Sequence, residues 1–161
     1  MFGSVYAGKR VLVTGHTGFK VSWLTAWLLS LGAHVGGFSV NVPTQPAIFK
    51  VLELAGKIQH FSGDLRERES LKQVFYEFKP EIVFHLAAQA LVRTSYADPA
   101  LTLETNALGT MNVLECLRES ESVQTAVLIT SDKCYRNMEW EWGYRETDYL
   151  GGEDPYSASK G

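Results

Sequence analysis

The chain is poor in cysteine, with only Cys116 and Cys134. Neither their number nor their spacing suits a disulfide framework or a zinc site, so the expectation is no metal and a reducing, cytoplasmic setting. It also lacks a basic surplus: 15 Lys and Arg stand against 18 Asp and Glu, a formal net charge of -3. That balance does not neutralise a nucleic-acid backbone, which removes nucleic acid as a partner and leaves room for a small anionic cofactor. No apolar run approaches the ~18 residues of a membrane helix. The N-terminal MFGSVYAGKRVLV puts its basic pair after the small residues rather than before an apolar run, so neither a membrane span nor an export signal is expected. There is no repeat or low-complexity segment. A length of 161 residues with 45% hydrophobic content is enough for one core, hence one folded unit over 1–161.

What is present is an alternation of strand-length apolar runs with helical patterns, the sign of a parallel sheet covered on both faces. RVLVTG (10–15), HVGGFS (34–39), IQHFSGD (58–64), EIVFHLAA (81–88) and TAVLITS (125–131) read as five strands, the fourth apolar enough to be buried on both sides. Between the first two, Trp23, Leu24, Trp27, Leu28 and Leu31 form one 3.6-period stripe, which predicts that both tryptophans are core. A short helix is expected around 47–56. Leu71, Val74, Phe75 and Phe78 mark a further helix, and Pro99 opens another with Leu103, Ala107, Met111, Leu114 and Leu117 on its buried side. Residues 132–152 read as loop, in which Trp140 and Trp142 either cover a site or simply pack. YSASKG then begins a last helix.

Between strand one and helix one stands Gly15-His16-Thr17-Gly18-Phe19-Lys20. Gly15 permits a sharp turn, Gly18 lets backbone approach a pyrophosphate, and the following helix offers unpaired N–H groups at the positive end of its dipole. The bland reading is a tight strand-to-helix connection; the context favours dinucleotide binding. Val21 stands where a third glycine is usual. It is expected to push the helix off the strand or crowd the phosphates, weakening cofactor binding without abolishing the fold. Ser39 stands where a carboxylate usually chelates the ribose, and no Arg or Lys occupies 39–42 for a 2'-phosphate, so NAD is expected rather than NADP. Asp64 either accepts from the adenine amino group or serves as a turn residue.

Tyr156 and Lys160 lie four apart, on one face of the last helix, where the ammonium favours the phenolate and makes the tyrosine a usable base. An exposed helical pair is the ordinary reading of such spacing. It changes because Ser131, Asp132 and Lys133 follow strand five, at the sheet edge where ligands of open α/β folds bind. There Ser131 can hydrogen-bond a substrate hydroxyl, Asp132 can donate a proton and Lys133 can accept one. His85 reads as a satisfied core histidine, Cys134 as buried and inert, and Asn106 as a helix residue whose amide ties its helix to strand four.

Gly15-x-x-Gly18, Asp64-Leu65, His85-Leu86-Ala87-Ala88-Gln89, Asn106, Ser131 and Tyr156-x-x-x-Lys160 resemble the extended short-chain dehydrogenase/reductase family. GHTGFK, EIVFHLAAQALVR, TSDKCY, WGYRE and DPYSASKG resemble the sugar-nucleotide 4,6-dehydratases within it, above all those acting on CDP-glucose. The fold implied is α/β, a doubly wound parallel sheet of Rossmann type in strand order 3-2-1-4-5. The cofactor implied is NAD, held by Gly15, His16, Thr17, Gly18, Phe19, Lys20, Ser39, Asp64, Leu65, Leu86, Ala87, Ala88, Gln89, Asn106, Tyr156 and Lys160. The activity implied is conversion of CDP-glucose to the 4-keto-6-deoxy sugar nucleotide, an intermediate for dideoxy sugars of bacterial surface polysaccharides. Members of the family are about twice this length and carry a small C-terminal sugar-nucleotide domain. The resemblance therefore reads this chain as the cofactor and catalytic half, incomplete at its C-terminal end, of an expected homo-oligomer. An epimerase or reductase of the same fold, or a non-catalytic dinucleotide sensor, are the rival readings.

Overall fold

The structure, a computed structural model, describes residues 2–161. The five strand-length runs form short strands: β1 (Arg10–Thr14), β2 (His34–Ser39), β3 (Gln59–Ser62), β4 (Ile82–His85) and β5 (Thr125–Leu128). They make one sheet in the order β3-β2-β1-β4-β5, with every neighbouring pair parallel. That is the expected doubly wound, Rossmann-type order. Register sets Thr14 opposite both Phe38 and His85, so the loops leaving β1, β2 and β4 emerge side by side at the carboxyl edge. β4 stops at His85, short of the apolar run it begins, because the next two N–H groups turn to the Thr14 hydroxyl instead of a ladder.

The helices are α1 (Phe19–Ser30), α2 (Ile48–Val51), α3 (Arg68–Phe78), α4 (Val92–Ala97), α5 (Pro99–Leu103), α6 (Gly109–Glu119) and α7 (Pro155–Ala158). A π turn, Glu104–Leu108, joins α5 to α6. α4 lies between the fourth strand and the helix that Pro99 opens, where the periodic reading places no helix. It ends at Asp98, whose carboxylate then caps α5 by accepting from the Leu101 N–H at 2.9 Å, with Pro99 in the first turn.

Alternation along β1 separates two cores. Leu12 faces α3 and α6 with Phe38, Leu71, Phe75, Val83 and Val113, while Val11 and Val13 face α1 with Val21, Leu28, Val35 and Ile82. The paired glycines of β2 follow the same alternation. A Cβ on Gly36 would meet the Phe78 ring at 2.9 Å and one on Gly37 the His16 ring at 2.4 Å, so each face admits an aromatic only because glycine stands beneath it.

Two helix faces depart from the periodic reading. On α1 the buried residues are Val21, Ser22, Thr25 and Leu28, whereas Trp23 is 56% and Trp27 47% exposed. Apolar residues run nearly round this helix, so periodicity does not select a face; close approach to the sheet does, and it favours small side chains. Ser22 enters without an unpaired hydroxyl because its Oγ donates to the His16 carbonyl at 3.1 Å. On α5 and α6, Leu103, Ala107, Met111 and Leu114 point outward, and only Leu117 of the expected stripe packs on the core. Thr102, Asn106, Gly109, Asn112, Val113 and Cys116 face inward. The π turn inserts an extra residue that rotates the face, and Gly109 lets the helix close on Leu65, 2.9 Å from where a Cβ would stand.

Val21 is absorbed by this packing. Its side chain joins Val11, Val13 and Val35 between α1 and the sheet, on the core side of the helix rather than over the glycine-rich turn. Val21→Gly is therefore expected to lower unfolding stability by about 2–4 kcal/mol, the sum of lost apolar burial and glycine's helix penalty. Urea unfolding measures it, and a variant as stable as the parent would show that the valine is not a core residue.

Candidate active site

At the turn after β1, Gly15 adopts φ +76°, and a Cβ there would stand 2.9 Å from the Ala87 Cα. Only glycine permits both. Gly18 caps α1 with extended backbone and no side-chain hydrogen bond, and the first turn of α1 holds no acidic residue. The free N–H groups there, beside the exposed Lys20, form an anion-receptive end. Phe19 is exposed at the same point.

The Thr14 hydroxyl gathers the neighbouring loop. Its oxygen accepts the N–H of Leu86 at 3.2 Å and of Ala87 at 3.1 Å, which uses its lone pairs. Its proton therefore goes to His85 Nδ1, 2.8 Å away, leaving the Nε2–H to donate to the Thr110 hydroxyl at 3.0 Å. His85 is thus a neutral, satisfied core histidine, as expected; burial, with the Lys160 charge second, brings its pKa down to about 4. One step further along, Gln89 exchanges backbone hydrogen bonds with the Asn106 amide, accepting at 3.0 Å and donating at 2.8 Å. This is the expected tie between helix and strand four, made to the loop beyond the strand. Ala88 lies half-buried between these anchors.

At the edge between β2 and β3, Thr17 Oγ1 donates to the Asn41 carbonyl at 2.6 Å and lies 2.8 Å from Ser39 Oγ. Three residues expected at the cofactor have their side chains engaged within the chain. His16 is fully buried and its Nε2 lies 2.7 Å from His60 Nδ1, so only its backbone faces the turn. Leu65 turns its side chain into the core and its carbonyl accepts from Asn112 Nδ2 at 2.8 Å. The Asp64 carboxylate is held by the Arg66 guanidinium at 2.7 Å and accepts the Arg66 N–H, which is the turn role; Arg66 keeps its pKa below the ordinary range.

On the other side, Ser131 Oγ accepts the Lys133 N–H at 3.1 Å and donates to Asp132 Oδ1 at 3.0 Å. A ligand hydroxyl taking over that donor displaces a local bond worth about 1 kcal/mol. Ser131 caps a 3-10 turn, Asp132–Cys134, that packs against α7; Cys134 is half-buried rather than buried. Tyr156 lies on α7, and Lys160 Nζ sits 5.9 Å from its ring centroid. Burial holds the Lys160 pKa below the usual lysine range. Lys133 borders a cavity of about 580 Å³ shared with Tyr135, Arg136, Asp154 and Ser157. Above it the 135–150 loop closes through a Tyr135–Leu150 bridge and packs inwardly, Tyr135 on Tyr144 at 5.2 Å and Trp140 on Trp142 at 5.7 Å.

All five chemical groups therefore lie at the same carboxyl edge as the glycine-rich turn, joined through Ala87, Gln89 and Asn106. Sequence reasoning missed Thr14, Thr110 and Ser159. A hydroxyl at the end of a strand carries no sequence signal until its neighbours are known. Among the described residues no cluster of ligating side chains could hold a metal, and no helix is long and apolar enough to cross a membrane.

His16 is displaced like His85, from 6.5 to about 4, by burial first and the charge of His60 second. Both histidines stay neutral in the fold while the unfolded chain protonates near 6.5. Their contribution, on the order of 3 kcal/mol each, is complete above pH 6.5 and lost as pH falls toward 4. Unfolding midpoints across that window are expected to drop; a flat profile would show that neither ring is held neutral in the fold.

Comparison with known proteins agrees with this geometry. A family model described as GDP-mannose 4,6 dehydratase matches residues 12–161. The CDP-glucose 4,6-dehydratase of Salmonella typhimurium is 52% identical over 97% of this chain and 44% of its own length. The UDP-glucose 4-epimerase of Thermus thermophilus, crystallised in complex with NAD, superposes with a TM-score of 0.81 at 34% identity over 94% of this chain and 47% of that one. The epimerase Mth375 of Methanothermobacter thermautotrophicus gives 0.84 at 32% over 98% and 46%. The chain spans about half the length of the relatives it matches. It belongs to the GDP-mannose 4,6 dehydratase family, among the NAD-dependent epimerases and dehydratases of the short-chain dehydrogenase/reductase fold.

Proposed function

We propose that this chain is the cofactor-binding and catalytic half of an NAD-dependent dehydratase converting CDP-glucose to CDP-4-keto-6-deoxyglucose. The observation that carries the reading is the convergence of Gly15, Ser131, Asp132, Lys133, Tyr156 and Lys160 on one sheet edge, supported by the Salmonella relative. The uncapped start of α1 and the Gly15 turn suit a diphosphate. Phe19, Lys20, Thr17 and Ser39 line the approach to it, and the absence of Arg or Lys at 39–42 favours NAD over NADP.

Bound NAD would supply the hydride acceptor for the sugar C4 and the hydride donor for C6. The rest is proton handling by this chain. Tyr156 removes the C4 hydroxyl proton while Lys160 stabilises the phenolate and Ser131 holds the oxygen. The C4 ketone acidifies the C5 proton, which Lys133 accepts and gives back to C5 once C6 has taken the hydride. Asp132 delivers a proton to the departing C6 hydroxyl, so water leaves. An epimerase has no hydroxyl to eliminate and no need of the Asp132–Lys133 pair.

The remaining parts of the reading are a cytoplasmic setting, which the unpaired Cys116 and Cys134 fit, and a homo-oligomer in the full-length protein. The outward faces of Leu103, Met111 and Leu114 support the second. The product would feed synthesis of bacterial surface polysaccharides through dideoxy sugars.

The full-length protein with NAD and CDP-glucose is expected to form a 4-keto product absorbing in base. Tyr156→Phe is expected to reduce turnover at least about 100-fold, the loss of a general base. Asp132→Asn should block elimination while leaving C4 oxidation, visible as NADH absorbance. Accumulation of a C4 epimer would overturn the dehydratase reading in favour of an epimerase.

A further inference from the structure

α7 is four residues long, far too short to hold its own shape, yet it carries Tyr156 and leads directly to Lys160. Its fixed position comes from its two ends. At the start, the Asp154 carboxylate accepts the Ser157 N–H at 2.9 Å. At the end, Ser159 Oγ donates to the Tyr156 carbonyl at 2.6 Å and accepts an amide hydrogen of Asn106 Nδ2 at 2.8 Å.

Asn106 is almost completely buried on the π turn, and its amide is fully occupied. Oδ1 takes the Gln89 N–H, one Nδ2 hydrogen goes to the Gln89 carbonyl and the other to Ser159. Gln89 is itself pinned, its Nε2 donating to Thr102 Oγ1 at 2.9 Å. Two residues earlier, Ala87 abuts Gly15. A continuous path thus runs from the glycine-rich turn through the loop after β4 and Asn106 to the last turn of α7. π turns are costly and persist where a particular side-chain placement offsets them. Here the placement is that of the Asn106 amide.

We propose that Ser159 is a positioning residue, acting through Asn106 to hold Tyr156 and Lys160 at a fixed distance from the glycine-rich turn. This rests on the dehydratase reading for its kinetic consequence, though not for its structural one. The hydroxyl is the group that matters: it closes the α7 turn as donor and receives the amide as acceptor. Alanine removes both contacts and leaves a buried amide hydrogen unpaired. Threonine keeps both.

The test compares Ser159→Ala and Ser159→Thr in the full-length protein by two readouts. The first is trace acetylation of Lys160 against pH, scored beside the exposed Lys20. Ser159→Ala is expected to label Lys160 several-fold faster, approaching Lys20, with Ser159→Thr retaining parental protection. The second is turnover of CDP-glucose. The alanine variant is expected to lose about tenfold in kcat with KM and NAD affinity within about twofold, and the threonine variant to recover most of it. If alanine does not fold, Ser159→Cys, similar in size and a weak acceptor, takes its place. Parental labelling and kcat in the alanine or cysteine variant, or a threonine variant as impaired as alanine, would overturn the proposal. Labelling needs no turnover, so a parent that makes no 4-keto product would sink the dehydratase reading and leave Ser159 to be decided by the first readout.

Discussion

The Thr14 hydroxyl is the point on which the site depends. It stands at the last residue of the central strand, takes two N–H groups from the loop after β4, and passes its own proton to His85. Those bonds draw Leu86 and Ala87 out of strand geometry and bring Ala87 against Gly15 at a distance no side chain would allow. The glycine-rich turn is thus shaped from below, by a neighbouring strand, as well as by its own glycines. A valine in place of Thr14 would fit the space and leave three polar partners in a buried setting without theirs, a penalty of a few kcal/mol at least.

The same bonds decide the protonation of the core. Because Thr14 must donate, His85 Nδ1 must be bare, and the ring presents its remaining hydrogen to Thr110 on α6. A neutral His85 also matters to Lys160, whose charge is one of the two causes holding the histidine unprotonated. Two cations at that depth would repel in a medium that screens poorly. The arrangement keeps one positive charge at the base of α7, on the lysine, beside the Tyr156 ring.

Much of the fold was legible. Five strand-length runs, each ended by glycine or polar residues, marked the right strands, their order followed from the family resemblance, and the Gly15, Ser131–Lys133 and Tyr156–Lys160 groups fell on one edge as their positions after β1 and β5 required. Helix faces were not legible. Trp23 and Trp27, or Leu103, Met111 and Leu114, look like core by spacing, but a helix pressed on a sheet buries what is small and what finds a hydrogen bond. Ser22, Asn106 and Asn112 are inside because His16, Gln89 and Leu65 offer them backbone partners, and no periodicity announces a partner 6, 17 or 47 residues away. The place of the His16 ring was not legible for a similar reason: the motif fixes its backbone, while Gly37 opens a slot in β2 that takes the ring.

These buried polar contacts also divide the site into two mechanical parts. On one side stand the Gly15 turn, the loop after β4, Asn106 and α7, cross-linked through groups that are buried and mutually satisfied, so displacing one leaves others unpaired. On the other stand Asp132 and Lys133, exposed on a single 3-10 turn whose only side-chain cap is Ser131. The first part resists movement because its linking bonds are buried or part-buried, where an unmade bond costs more; the second can reorganise at the strength of a bond made in water. The proposed dehydration, in which a hydride would return to a different carbon of the same sugar, would draw on that asymmetry. Under that proposal the groups beside the glycine-rich turn would stay fixed between the two transfers, while Asp132 and Lys133 would follow a ring whose geometry changes as water leaves.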